Sequence, residues 1–165
     1  MNKYILSTLF IFSFCFCQGK WYKGNLKNID EISLSINLKG SEEATWKKSV
    51  TSYIELTLLQ NKLPVIDSKP MPKLVIDIHV IDSSIDEASS FMVDFSLYDY
   101  GLSEQKYSFA YGDSSLVKQL GTYKIYSKET LGQSTSSRVY KDIETAIREN
   151  MSLFLSQWYK DNPWK

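Results

Sequence analysis

Asp77, His79 and Asp94 are the side chains whose types and spacing could support chemistry. Asp77 and His79 stand two residues apart in the run KLVIDIHVID, and Asp94 lies in the following run FMVDFSLYDY. Successive side chains of a strand point to opposite faces, so residues two apart share a face. If the two runs form a hairpin with His79 opposite Asp94, their Cβ atoms would lie about 5 Å apart. A histidine beside carboxylates could bind zinc or act as a general base.

The same three residues also fit the solvated face of a half-buried sheet, where polar side chains belong. His79 is the only histidine of the chain, whereas structural zinc sites use four protein ligands and catalytic zinc sites usually draw on more than one histidine. We therefore predict no cofactor, no metal site and no catalytic residue. We treat Asp77, His79 and Asp94 as candidate binding residues, and a metal-dependent hydrolase that uses them is the alternative.

A second candidate patch lies on a predicted strand from Thr122 to Thr130. Lys124, Tyr126 and Lys128 alternate along it, so we expect them to share one strand face beside the face of Asp77. Exposed tyrosine suits protein or glycan contacts because it covers a large area at little cost in conformational entropy. Lys124 and Tyr126 therefore join the candidate binding residues, although ordinary surface ion pairing explains the patch equally well.

Other catalytic classes lack their motifs. The chain has no G-x-S-x-G, no H-E-x-x-H and only seven glycines, all isolated, so it cannot form a glycine-rich phosphate cradle. Its two cysteines both precede residue 18, which leaves the remainder without thiol chemistry. The formal net charge is zero, and a chain without a basic field is not expected to bind nucleic acid.

Residues 1–17 are predicted to be a signal peptide. Lys3 precedes an apolar run from Ile5 to Phe16, which has the length of a signal-peptide core and is short for a membrane span. Cys15 and Cys17 are small residues at the positions that favour cleavage before residue 18. Each cysteine follows a phenylalanine, where lipoprotein processing prefers a small residue, so we favour plain secretion over lipidation.

Hydrophobic periodicity divides the rest of the chain into a short extension (18–30), one domain (31–160) and a tail (161–165). We predict an α+β domain, with a mostly antiparallel sheet of four to six strands and two amphipathic helices packed on one face. The other face of the sheet is expected to be open. The predicted helices and strands are a strand at Glu31–Lys39, a helix from Ser41 to Leu59 ended by left-handed Asn61, a short edge strand at Leu63–Asp67, the two runs above, strands at Gln105–Tyr111 and Thr122–Thr130, a loop at Leu131–Ser137, and a helix at Arg138–Tyr159 capped by Ser136 or Ser137.

The order of these elements, the leader and the stretch NKLPVIDSKPMPKLVIDIHV after the first helix resemble the small α/β domains of bacterial envelope proteins. Members are the lipopolysaccharide-assembly lipoprotein of the outer membrane and the amino-terminal domain of the Tol-system propeller protein. The resemblance spans about Glu31 to Trp158 and is one of pattern, without a residue motif, so it transfers no functional residue. It implies a location in the periplasm or at the outer membrane of a Gram-negative bacterium.

These observations together predict a non-catalytic, exported envelope protein that binds a protein or an outer-membrane component, with peripheral membrane association left open. Two alternatives remain at this point. One is the metal-dependent hydrolase described above, and the other is a carrier of lipid or another apolar ligand with a cavity between helices and sheet.

Overall fold

The computed structural model describes residues 24–40, 44–82, 88–101 and 120–165. The predicted signal peptide, the helix start at Ser41 and the predicted strand at Gln105–Tyr111 lie outside these ranges. The described elements are β1 (Ser33–Lys39), α1 (Ala44–Gln60), β2 (Lys73–Asp82), β3 (Ala88–Gly101), β4 (Gly121–Thr135) and α2 (Val139–Asp161).

The four described strands form one mixed sheet in the order β1-β2-β3-β4. β1 and β2 pair in parallel, while β2 with β3 and β3 with β4 are antiparallel. The parallel pair follows from the helix that joins its strands, because parallel neighbours need a crossover connection. The α+β class is therefore confirmed, and the described sheet has four strands, the lower end of the predicted range.

One face of the sheet carries the buried side chains. From Leu74 to Val80 and from Phe91 to Leu97 every second residue is buried, as the alternating sequence predicts, and Ser96 on the other face is buried as well. Helix α2 contacts this face through Phe154, whose ring centroid lies 5.7 Å from that of Phe95 and 5.3 Å from that of Tyr126. The buried strand side chains of this face are Leu74, Ile76, Ile78, Val80, Phe91, Val93, Phe95 and Leu97.

Helix α1 buries Val50, Ile54 and Leu58, a spacing of four residues that forms one stripe. It contacts α2 through Trp46, whose indole N–H donates to Glu144 Oε1 at 3.0 Å. The predicted left-handed terminator at Asn61 is wrong, since Lys62 takes the positive φ of 61°.

Asn61 instead binds the end of the same helix with its side chain. Its amide Nδ2 donates to the Thr57 carbonyl at 2.7 Å, and the same carbonyl accepts the backbone N–H of Asn61 at 3.2 Å. The predicted edge strand at Leu63–Asp67 is reduced to a single parallel bridge between Val65 and Ile32.

The segment that was predicted to be a loop, Leu131–Ser137, is largely strand. β4 continues to Thr135, because its small polar residues pair with the first residues of β3. The predicted cap of the last helix at Ser136 or Ser137 is also wrong. Arg138 takes the cap position and its side chain makes no capping hydrogen bond.

Residues 24–30, predicted as an extension, contribute to the core. Leu26 and Ile29 are buried, and the Asp161 carboxylate accepts the backbone N–H groups of Gly24 and Leu26 at 3.2 and 3.1 Å. The two ends of the described chain are thus joined at one place. Among the described helices, neither is both long and apolar enough to cross a membrane.

Candidate functional site

The sheet face opposite the buried side chains, called here the polar face, is arranged in rows by the strand register. The central row across β1 to β4 is Asn37, Asp77, Asp94 and Glu129. The next row is Lys39, His79, Met92 and Leu131. Strand pairing therefore groups three acidic residues in one row and puts the histidine in another.

The expected pairing of His79 with Asp94 is wrong by two residues. Asp94 lies opposite Asp77, and His79 lies opposite Met92. A like-charged pair directly across two strands is destabilising by itself. Each carboxylate has its own donor: Asn37 Nδ2 donates to Asp77 Oδ1 at 2.7 Å, and Lys124 Nζ donates to Asp94 Oδ2 at 3.3 Å.

Asp94 accepts three side-chain hydrogen bonds from described residues of the polar face. The Ser96 hydroxyl donates to its Oδ1 at 2.5 Å, and the Ser127 hydroxyl donates to the same oxygen at 3.5 Å. Ser96 is only 1% exposed. Two hydroxyls and an ammonium thus occupy three of the roughly four acceptor positions of this carboxylate. This geometry suits a structural anchor better than a general base.

Lys124 lies on the polar face beside Asp94 and Tyr98. Its Nζ atom is 5.7 Å from the centroid of the Tyr98 ring. Burial opposes the charged form of Lys124, but the hydrogen bond and the charge of Asp94 outweigh burial and raise the pKa of the lysine above 10.5. Lys124 therefore stays charged over the physiological pH range.

His79 is not part of a ligand set. Within the described ranges, no group of three or more His, Cys, Asp or Glu side chains could hold a metal ion. The register puts His79 diagonal to Asp94, a separation of about 7–8 Å between the Cα atoms. The structure thus brings Asp77 and Asp94 together and leaves His79 one row away.

Tyr126 lies on the buried face, apart from the other candidate residues. A bulge between Leu97 and Tyr98 shifts the register, so Tyr126 pairs with Leu97 and Lys124 with Tyr98, which leaves Ile125 as an extra residue. One extra residue reverses the alternation of a strand. The predicted shared face of Lys124 and Tyr126 is therefore wrong, and burial raises the pKa of Tyr126 to about 12.

Two exposed apolar residues on the polar face were not among the candidates. Ile81 is 70% exposed and Leu131 is 76% exposed, with half-buried Met92 opposite Leu131. The sequence offered a signal for Ile81, which occupies a polar-face position of the alternating run. It offered none for Leu131, which lies in a stretch rich in Gly, Ser and Thr.

A groove of about 230 Å³ separates the two helices. Ligand pockets for drug-sized molecules measure about 300–1,000 Å³, and Ile76, Phe95 and Phe154 fill the space between sheet and helix with no exposed surface. The carrier alternative gains no support from this geometry. The groove is lined by Ser49, Val50, Tyr53, Glu144, Ile147 and Arg148.

Comparison of the chain with protein-family models, with curated proteins and with solved structures found no match.

Proposed function

We propose that this protein is a non-catalytic, exported protein of a Gram-negative envelope that binds another envelope protein across its polar face. The observation that carries this proposal is the exposure of Ile81 and Leu131, 70% and 76%, on the polar face. Single exposed apolar residues are ordinary. Here they share the face with half-buried Met92 and a row of charged side chains, which resembles the apolar centre and polar rim of a protein interface.

The second part of the proposal is that both helices cover the buried face and leave the polar face to a partner. Phe154 of α2 contacts Phe95 of that face, and the ring of Trp46 in α1 lies 5.0 Å from the ring of Tyr140 in α2. Helices that contact each other in this way are expected to lie on the same side of the sheet.

Charge favours a protein partner with basic side chains. In the central row Lys124 compensates Asp94, while Asp77 and Glu129 have no cationic partner among the described ion pairs. Complementary lysines or arginines on the partner would pair with these carboxylates at the rim and guide its orientation.

The predicted signal peptide and the pattern-level resemblance to small envelope domains support the location. A protein of this kind should accumulate in the periplasmic or outer-membrane fraction when it is produced in a Gram-negative host. Recovery of the uncleaved chain in the cytosol would contradict the envelope assignment and leave the polar face as a binding surface in another compartment.

The binding proposal is tested by site-specific photo-crosslinking in cells. A photoreactive amino acid at Leu131 should give one discrete adduct with another protein. The same amino acid at Leu153, which is 50% exposed on α2, is the matched control and should give none. Adducts of equal yield at both positions, or none at Leu131, would contradict the proposal.

A substitution then measures the contribution of the apolar contact. We expect Leu131→Glu to weaken binding of the crosslinked partner at least about tenfold, because it puts a charge at the centre of the interface. Leu153→Glu is the control for the added charge. Equal affinities of the wild type and both variants would place the interface elsewhere.

A further inference from the structure

β1 is an edge strand with one side of its backbone open. Ser33 N–H donates towards β2, to the Pro72 carbonyl at 2.8 Å. Ile32 faces the other way: its N–H donates to the Pro64 carbonyl at 3.1 Å, and its carbonyl accepts from Ile66 N–H at 2.8 Å. Backbone groups alternate in direction along a strand, so residues 34, 36 and 38 face the same way as Ile32. Among the described residues, no strand pairs with them.

An open groove follows α1 and reaches Val65, which bridges to Ile32 just before β1. Its two parts measure about 450 and 420 Å³ and share Ser52 and Glu55, so together they extend over most of the helix. One wall carries Leu56 and Leu59, which are 54% and 61% exposed.

The groove has opposite charges at its two ends. Asp67 lies in the part that includes Val65, which bridges to Ile32 just before β1, and Glu55 lies in the middle, where it lines both parts. Lys47 and Lys48 lie in the first turns of α1, and this end follows the last residue of β1 after a short connection. The surface is thus acidic near the start of β1 and basic near its end.

We propose that this edge binds a second copy of the chain, with β1 antiparallel to β1 across a two-fold axis at Ile36. An isologous contact requires a self-complementary surface. The two-fold axis places the acidic end of one groove against the basic end of the other. In this arrangement we expect Glu55 of each copy to lie near Lys48 of the other, since Lys48 is four residues before the middle of α1 and Glu55 three residues after it.

The backbone fits this pairing. With Ile36 opposite its own counterpart, Leu34 lies opposite Leu38, and all three present outward N–H and C=O groups that exchange hydrogen bonds in an antiparallel pair. In this pairing residue 40 would lie opposite Ile32 of the other copy, whose backbone N–H and C=O groups already bond to Pro64 and Ile66. Gly40 has a φ of 85°, so the chain leaves the strand direction at this residue and avoids the occupied position.

The same pairing brings the two α1 helices together. Leu56 and Leu59 of each copy become covered by the first half of the opposite helix. A strand added to a sheet edge supplies hydrogen bonds, and the side chains beside it determine which strand is accepted. In this dimer the apolar contact and the paired charges would select another copy of the same chain over an unrelated strand.

The test is charge reversal at the two facing positions, measured by sedimentation equilibrium of the protein purified from the cells that produce it. We expect a dimer for the wild type. Glu55→Lys or Lys48→Glu alone should weaken dimerisation about tenfold or more, because each places like charges at two symmetric contacts. The double variant Glu55→Lys/Lys48→Glu restores the opposite charges and should dimerise like the wild type.

Glu149→Lys, at an exposed position of α2, is the matched control and should leave the dimer unchanged. Both groove residues are exposed, so each variant should fold, which circular dichroism checks. A monomeric wild type at high concentration, including one that binds only foreign strands, overturns the proposal. The proposal is also overturned if the wild type forms an oligomer other than a dimer, or if the single reversals leave dimerisation unchanged. A double variant that dimerises as weakly as the single variants overturns it too.

Discussion

At the residue scale, Asn150 is a buried polar side chain whose hydrogen bonds are incomplete among the described residues. It is 1% exposed in α2, and its Oδ1 accepts from the Thr130 hydroxyl at 3.2 Å. Its Nδ2 atom has no hydrogen-bond partner among the described residues. An unpaired buried donor loses its hydration without compensation.

We expect Asn150→Leu to raise the free energy of unfolding by about 1 kcal/mol, because leucine has a similar volume and removes the unpaired donor. Urea denaturation measures it. Asn150→Ala is the matched variant and should destabilise the protein, since it opens a cavity at the same position. A loss of stability with leucine as large as with alanine would show that the amide has a partner.

Tyr126 makes the stability of the fold depend on alkaline pH. Burial raises its pKa from 10.0 to about 12, so the folded state holds the phenolic proton more tightly than the unfolded state. The corresponding stability is fully present below pH 10 and is lost as the pH rises towards 12. Because Tyr126 is only half-buried and solvent screens part of the effect, the loss should amount to about 1–2 kcal/mol.

This prediction is checked by the slope of the unfolding free energy between pH 10 and 12. Tyr126→Phe cannot ionise and should flatten the slope. Tyr123→Phe, at a tyrosine that is 38% exposed, is the matched control. A slope that is the same in both variants would place the alkaline sensitivity elsewhere in the chain.

At the element scale, the second half of β4 packs closely against β3. Gly132 lies opposite Phe91, and a Cβ atom at this glycine would overlap the Phe91 ring. A glycine in a strand interior is commonly found where another group approaches the backbone closely. Gly132, which indicated a loop in the sequence, therefore leaves the space that the Phe91 ring occupies.

Gly132→Ala should lower the free energy of unfolding by about 2 kcal/mol, because the new methyl group displaces a buried ring. Thermal or urea unfolding measures this change. In a Phe91→Leu background the same substitution should cost much less, since the smaller side chain leaves room. Equal costs in both backgrounds would mean that the ring is not the obstacle.

At the scale of the whole molecule, Asn162 joins the two ends of the described chain through hydrogen bonds. Asn162 has no exposed surface, and its Nδ2 donates to the Leu26 carbonyl at 2.7 Å and to the Trp158 carbonyl at 2.9 Å. Its Oδ1 accepts Asn28 N–H at 2.9 Å. One side chain therefore ends α2 and holds the segment that precedes β1.

Asn162→Ala should lower the free energy of unfolding by about 2 kcal/mol, because it leaves the buried Leu26 carbonyl and the part-buried Asn28 N–H without their partner. Chemical denaturation measures the loss. Asn37→Ala, which removes an exposed hydrogen bond to Asp77, is the matched control and should cost less than about 0.5 kcal/mol. Similar losses for both would contradict the role of Asn162.

Much of the fold could be predicted from local patterns. Alternation in β2 and β3 identifies the buried side chains, and the helical stripes identify both helices within a few residues. The candidate site was harder to predict, because a site on a sheet depends on register. A difference of two residues separates His79 from Asp94, and one bulge places Tyr126 on the face opposite Lys124.

The sequence by itself determined the α+β class, the two amphipathic helices and the phase of each central strand, because these depend on periodicity within a few turns of chain. Only the tertiary structure decided which carboxylates meet, where β4 ends and that residues 24–30 join the core. These features depend on contacts between distant segments, such as Gly132 with Phe91 and Leu26 with Asn162. No local pattern records such contacts, since their free energy arises only when the strands and the chain ends are already side by side.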